Sequence, residues 1–375
     1  MNNKMALNLI AEIMGWNETD RSTATQEYAW LRLMSAVKYD GYSDFRAGAR
    51  FIESLATWLK QFDAADRPAA YNFIKTRLIY ISSAEMQRLI ESFLPETVTP
   101  TLRGEVAAEL NIKPYEAWAT PEGVALFRKR LRRTLFVGLS DGSRIDTLRR
   151  ASPAISQEHI IPIMYVDHEK WRDLHKKLRN EAGQNAKFDH VYLIDDFTAS
   201  GTTFIRYVED GWTGKLKKFN DLVLRASKEL GSSFPIAEGY ALHIHHYISS
   251  HQARDALEER LAEADAQWPE KSYGSYEITQ GLLLPATTKM TGGDDAAILD
   301  LCDRYYDHAL FERLEEHCKQ ANQTDMKRGY ADCALPIILD HNTPNNSVAL
   351  LWAETAGGDG AHAMKPLFHR RDRHG

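Results

Sequence analysis

The chain has 375 residues, 43% hydrophobic and 26% charged, with a formal charge of -6 at neutral pH. That length allows two or three domains with cores of their own, and the acidic balance gives no global attraction to nucleic acid or anionic membrane. Cys302, Cys318 and Cys333 are too few and too irregularly spaced for a disulfide framework, which points to a reducing compartment. No apolar run approaches the roughly 20 residues that span a bilayer, so the expected location is cytoplasmic, with no membrane partner.

Residues 21–95 carry helical spacing, with Tyr28, Leu31, Met34 and Val37 on one stripe and Phe51, Leu55, Trp58 and Leu59 on another. Segments 69–80 and 84–93 continue the pattern. Pro95 and Pro100 bracket its exit, so residues 1–100 are expected to form a helical N-terminal subdomain. From about residue 130 the pattern alternates. A short strand is expected over 134–138, followed by a turn at Ser140, Asp141, Gly142 and Ser143 and a helix through Ile145 and Leu148. Further strands are expected at 160–166, 191–194, 222–225, 241–248, 278–284 and 335–339. Helices are expected at 171–179, 204–209 and 251–264, with one long helix or two over 295–319. Strands separated by helices predict an α/β domain over 101–352, its sheet covered on both faces, with a polar tail at 353–375. In such sheets ligands gather beyond the carboxyl ends of the strands.

One segment fits that position best. The apolar run Val191-Tyr192-Leu193-Ile194 ends in Asp195 and Asp196, and Phe197 leads into Thr198-Ala199-Ser200-Gly201-Thr202-Thr203. The small residues let the backbone wrap closely around an anion, Gly201 allows an approach that a β-carbon would obstruct, and Ser200, Thr202 and Thr203 add hydroxyl donors. A helix starting at Phe204 would aim its unpaired N–H groups at a phosphate. The two acids would repel that phosphate, so they must face sugar hydroxyls or a divalent cation. Helix capping alone is the plainer alternative, weakened by the strand before the acids and the loop after them. The segment is neither a Walker A loop nor a Rossmann fingerprint.

The segment from Val191 to Thr203 resembles the PRPP-binding motif of type I phosphoribosyltransferases, in which a hydrophobic strand, two acids and a Ser/Thr-Gly-x-Thr loop follow in order. The resemblance implies a parallel sheet flanked by helices. It also implies that Asp195 and Asp196 meet the ribose hydroxyls of PRPP, and that Thr198 through Thr203 hold the 5′-phosphate. Mg²⁺ is the implied cofactor, held by the two acids indirectly or through the sugar. Such enzymes place a diphosphate loop after the first core strand, where this chain has Ser140, Asp141, Gly142, Ser143 and Arg144, the arginine offering a fork of donors to paired oxygens.

Segments 51–58 and 78–82 in the helical N-terminal region, and the stretch 329–352 in the C-terminal extension, resemble a phosphoribosyltransferase-like group of bacterial proteins associated with conflict and defence systems. This resemblance implies transfer or hydrolysis of the ribosyl group of PRPP or a related nucleotide, in antiviral defence, with a protein partner from the same operon. The alternative is an inactive nucleotide-sensing or protein-interaction module.

Three weaker features complete the reading. The polar loop with His341, Asn342, Asn345 and Asn346, placed on the same sheet edge as Asp195, is either an acceptor site or a rigid turn. His243 and His245 share a strand face, better explained by a core or ligand-facing strand than by zinc. The basic run 128–133 and the weaker run Lys215, Lys217 and Lys218 are either solvated helix faces or anion contacts. Without interleaved aromatics they give little support to nucleic-acid binding.

Overall fold

The structure, a computed structural model, describes residues 2–16, 21–46, 48, 50–209, 211–319, 321–358 and 361–370. The chain divides into two compact units. One joins Met1–Glu85 to Ala286–Gly375, and the other is Met86–Pro285. This differs from the threefold division expected: 86–100 falls with the sheet, and 286–352 falls with the N-terminal helices.

In the discontinuous unit, helices Phe51–Lys60 and Arg67–Thr76 arise from the apolar stripes foreseen, burying Phe51, Leu55, Trp58, Phe73 and Ile74. The second helix stops earlier than expected, because β1 (Ile79–Ile81) follows it.

The Met86–Pro285 unit is built on a parallel sheet. Its strands are β2 (Thr134–Gly138), β3 (Ile160–Ile161), β4 (Phe188–Thr198), β7 (Ile236–Ser249) and β8 (Tyr273–Leu283), in the order β3-β2-β4-β7-β8. A small hairpin of β5 (Arg206–Val208) and β6 (Gly211–Thr213) stands apart from it. One face buries Leu135, Val137, Val191, Leu193, Leu242 and Ile244 against helices His168–Ala182, Lys215–Leu230 and His251–Gln267. The other face carries Phe136, Tyr192, His243, His245 and Tyr247, with Phe93 packed against Phe136, Tyr192, His245 and Tyr247. The sheet is the helix-flanked parallel one expected. The chain leaves β2 to one side for β3 and returns to its other side for β4. The crevice beyond the carboxyl ends of β2 and β4 is therefore the topological switch point, where such sheets bind ligands.

Three local expectations give way to the structure. Residues 222–225 lie inside helix Lys215–Leu230, where Leu216, Phe219, Val223, Ala226 and Leu230 form one buried stripe. Residues 204–209 are not helical: a turn closes on Gly201 and runs into the hairpin, whose Tyr207 and Trp212 rings meet edge to face at 5.4 Å. The long C-terminal helix is three, Ala296–Arg304, Ala309–Arg313 and Glu315–Lys319.

The last strand, β9 (Ile337–Leu339), pairs in parallel with β1 and not with the five-stranded sheet. Nor is the expected tail at 353–375 polar throughout. Met364, Leu367 and Phe368 are buried, and Phe368 packs 5.2 Å from Tyr42 and 5.7 Å from Phe51. The end of that tail, 371–375, lies outside the described residues. Among the described residues no helix is long and apolar enough to cross a membrane. All three cysteines are buried and unbridged.

Candidate functional site

β4 carries its hydrogen bonding through both acids to Thr198, so Asp195 and Asp196 point to opposite sides of the strand. Asp195 is buried, 6% exposed, and both its oxygens are engaged. The Ser140 hydroxyl donates to Oδ1 at 2.6 Å, and the Lys215 ammonium donates to Oδ2. Burial pushes the Asp195 carboxyl above the usual carboxylate range. Lys215 opposes that rise and the neighbouring Asp196 adds to it. Asp196 is half-buried; its Oδ1 accepts from the Phe197 amide at 2.9 Å, and its carboxylate lies against Gly142.

The turn after β2 thus belongs to the same site. Leu139 donates its amide to Ile194 O at 2.9 Å and Ser143 donates to Ser140 O at 3.0 Å, which fixes the turn beside the acids. Gly142 and Ser143 are buried, Asp141 is exposed and Arg144 is half-buried. Arg144 adopts a left-handed conformation with φ 48° at the entrance to helix Ile145–Ala151.

In the loop 198–205 every backbone carbonyl is accounted for by the protein. Ser250 donates its amide to Thr198 O and its hydroxyl to Ala199 O at 2.6 Å. Arg260 Nη1 donates to Ser200 O at 3.2 Å and Ile205 O at 3.3 Å, and Arg206 Nη1 to Thr202 O at 3.1 Å. Gly201 O accepts from Phe204 and Ile205, Thr203 O from Lys215, and Phe204 O from Leu216. Among the described residues the Ser200, Gly201 and Thr203 amides have no protein acceptor, and the Thr202 amide has only a long 3.4 Å contact with Ser200 Oγ. The loop turns its acceptors into the fold and keeps donors in reserve, the arrangement an anion needs.

The helix expected to supply the cradle's dipole is displaced. The hairpin intervenes, and helix Lys215–Leu230 instead hangs its first two amides on Thr203 O and Phe204 O. Gly201 does adopt a positive φ of 69°, but its missing β-carbon would meet Leu257 at 3.2 Å, on the side of helix His251–Gln267. Its role is therefore close packing behind the loop.

The loop holding His341, Asn342, Asn345 and Asn346 is not on the edge of this sheet: it follows β9 in the other unit. There Asn342 and Leu339 exchange backbone bonds, and the Asn346 amide donates to Tyr330 O at 3.1 Å. The arrangement is that of a braced turn. His243 and His245 do share a face, within a polar chain. Glu105, His190, His243 and Glu277 follow one another at 3.2, 3.1 and 3.1 Å, and His245 meets Thr279 at 2.9 Å. Among the described residues no group of three or more His, Cys, Asp or Glu could hold a metal ion. Three arginines of the basic run form ion pairs, Arg130 with Glu105 and Glu109, Arg132 with Glu181, and Arg133 with Asp189.

Sequence reasoning missed Lys215, Arg206, Arg260 and Ser250. Only Lys215 left a trace, in the short basic run, and its distance from the motif hid its partner. Leu139, next to the turn, also lines an open cleft of about 1070 Å³ with Tyr165, Arg172, Lys218 and Arg225.

Comparison with curated proteins and with solved structures gave no match. One family profile, however, covers residues 55–370, most of both units. By that match the chain belongs to the PRTase-CE family, a phosphoribosyltransferase-like family.

Proposed function

We propose that the protein binds PRPP or a related ribose phosphate in the crevice beyond β2 and β4 and transfers its ribosyl group. The observation that carries this reading is the loop 198–205, whose carbonyls all face the protein while the Ser200, Gly201 and Thr203 amides remain available. In this reading those amides take the 5′-phosphate, the acids at the end of β4 face the ribose, and the 140–144 turn with Arg144 takes the diphosphate.

The chemistry breaks the bond between ribose C1 and the diphosphate oxygen, whose electron pair leaves with diphosphate, while a nucleophile bonds to C1. Positive charge builds on the ribosyl ring and negative charge on the leaving oxygens. Arg144 and the turn's N–H groups stabilise the leaving group, and the loop holds the ring in place. The acceptor enters from the cleft beside Leu139.

Mg²⁺ commonly takes one or two protein carboxylates together with substrate phosphates. The residues fit an ion carried by diphosphate, with the half-buried Asp196, which lies against the 140–144 turn, as its protein carboxylate. When bound, the ion would neutralise charge on the leaving diphosphate.

Calorimetry with PRPP and Mg²⁺ tests the site: wild type binds, and Asp196→Asn weakens binding at least tenfold. Equal affinities would remove the site. Diphosphate release across candidate bases then separates turnover from sensing.

A further inference from the structure

The cleft beside Leu139 holds more chemistry than the passage of an acceptor requires. It lies wholly within the Met86–Pro285 unit, lined by the segment 163–169 and by helix Lys215–Leu230. Its volume of about 1070 Å³ is at the upper end of what small-molecule sites enclose. We propose that this cleft is a nucleotide site, taking a ring at Tyr165 and a phosphate at Arg172, Lys218 and Arg225. The inference rests on the ribose-phosphate reading above and names the acceptor's class: a nucleotide rather than a free base.

The positive charge comes from two elements. Lys218, Leu222, Arg225 and Glu229 recur at helical spacing, so one face of helix Lys215–Leu230 turns two cations to the cleft. Arg172 adds a third from the start of helix His168–Ala182. All three are exposed, and among the described residues none of them has a hydrogen-bond or ion-pair partner. Two of the acids around them are committed. Asp167 caps its helix by accepting the Lys170 amide at 2.7 Å, and Glu229 pairs with His168 at 2.5 Å. The cleft therefore offers three cationic donor groups against one open carboxylate, that of Glu169.

The ring site comes from the loop after β3. Tyr165 is 97% exposed and Ile163 is 48% exposed, two apolar side chains on one cleft with nothing laid over them. The Tyr165 amide bonds Ile163 O at 2.6 Å, a tight turn that ties the two residues together. The remaining wall is apolar, with Leu139 and Ala226 buried and Val166 and Leu222 half-buried. An aromatic platform stacks a base of any identity, and guanidinium forks meet phosphate oxygens in pairs. A nucleotide satisfies both features at once, whereas a free base leaves the cations unused. Leu139 is followed directly by Ser140, so a ligand in the cleft lies next to the turn assigned to diphosphate.

The test is calorimetry on the full chain with the four ribonucleoside 5′-monophosphates, each added in saturating ribose 5-phosphate so that the crevice at β4 is filled. At least one nucleotide should bind one to one, and its nucleoside at least tenfold more weakly. Lys218→Gln combined with Arg225→Gln should weaken that nucleotide at least tenfold, and Tyr165→Ser at least fivefold. Ribose 5-phosphate affinity and the urea midpoint should stay at their wild-type values, because these variants replace exposed side chains away from the crevice.

Unchanged nucleotide affinity in the double variant or in Tyr165→Ser would overturn the proposal. So would equal binding of nucleotide and nucleoside, or no nucleotide bound beside ribose 5-phosphate. A chain that ignores ribose 5-phosphate but binds a nucleotide, and loses it in the double variant, would sink the ribose-phosphate reading and leave the nucleotide site standing.

Discussion

A β-carbon on Gly142 would lie 2.6 Å from Oδ2 of Asp196, so the turn after β2 and the second acid of β4 touch directly. Gly142→Ala must displace the carboxylate or open the turn. The expected result is a fall of at least tenfold in PRPP affinity, with a stability cost of about 1–3 kcal/mol from overpacking. Calorimetry and urea unfolding on the same preparation separate the two effects, and an unchanged affinity would show that Asp196 does not meet ligand where it stands.

Arg260 holds two carbonyls of the 198–205 loop with one nitrogen. Each hydrogen bond contributes about 0.5–1.5 kcal/mol net. If the pair orients the loop amides, Arg260→Gln should weaken ribose 5-phosphate binding by roughly 5- to 100-fold, and Arg260→Lys should restore part of it. Loss of stability with no loss of affinity would restrict Arg260 to the scaffold.

Gly201 combines φ 69° with a Leu257 contact of 3.2 Å for any added β-carbon. Valine suits neither condition. Left-handed strain and overpacking together predict a loss of about 2–4 kcal/mol for Gly201→Val. Asn, which tolerates that backbone region better, should cost less. Urea unfolding of the two variants checks the order, and equal stability would show that backbone strain does not decide this position.

Burial lowers the pKa of His159 and His243 to about 4, and that of His245 and His246 to about 3. An unfolded histidine titrates near 6.5, so between about pH 4 and 6.5 the unfolded chain binds more protons than the folded one. Stability is therefore full above this window and falls as pH drops through it. Urea midpoints should be lower at pH 5 than at pH 7.5. His245→Phe should flatten the slope while giving up the 2.9 Å contact with Thr279. A steeper slope in that variant would contradict the assignment.

What the sequence discloses is what lies together along it. The end of β4, its two acids and the loop to Thr203 are contiguous, so residue type and order suffice to suggest a site. Lys215 is separated from Asp195 by a hairpin whose segment, from Phe204 to Glu209, suits helical and extended spacing alike. The apolar cluster Leu222, Val223 and Leu224 looks strand-like in isolation, and only the longer stripe from Leu216 to Leu230 reveals a helix. The strand near 337–339 is legible from its own residues. Its partner Ile79–Ile81 is not, because pairing across most of the chain leaves no local pattern.

That pairing bears on how the polypeptide is made. Met86–Pro285 is continuous and can complete its sheet while synthesis proceeds. The residues before Met86 must wait for β9 and Phe368, which emerge only after that whole unit. During that interval the aromatic surface around Tyr42 and Phe51 lacks its cover, and the nascent protein is most exposed to aggregation or to a chaperone's attention.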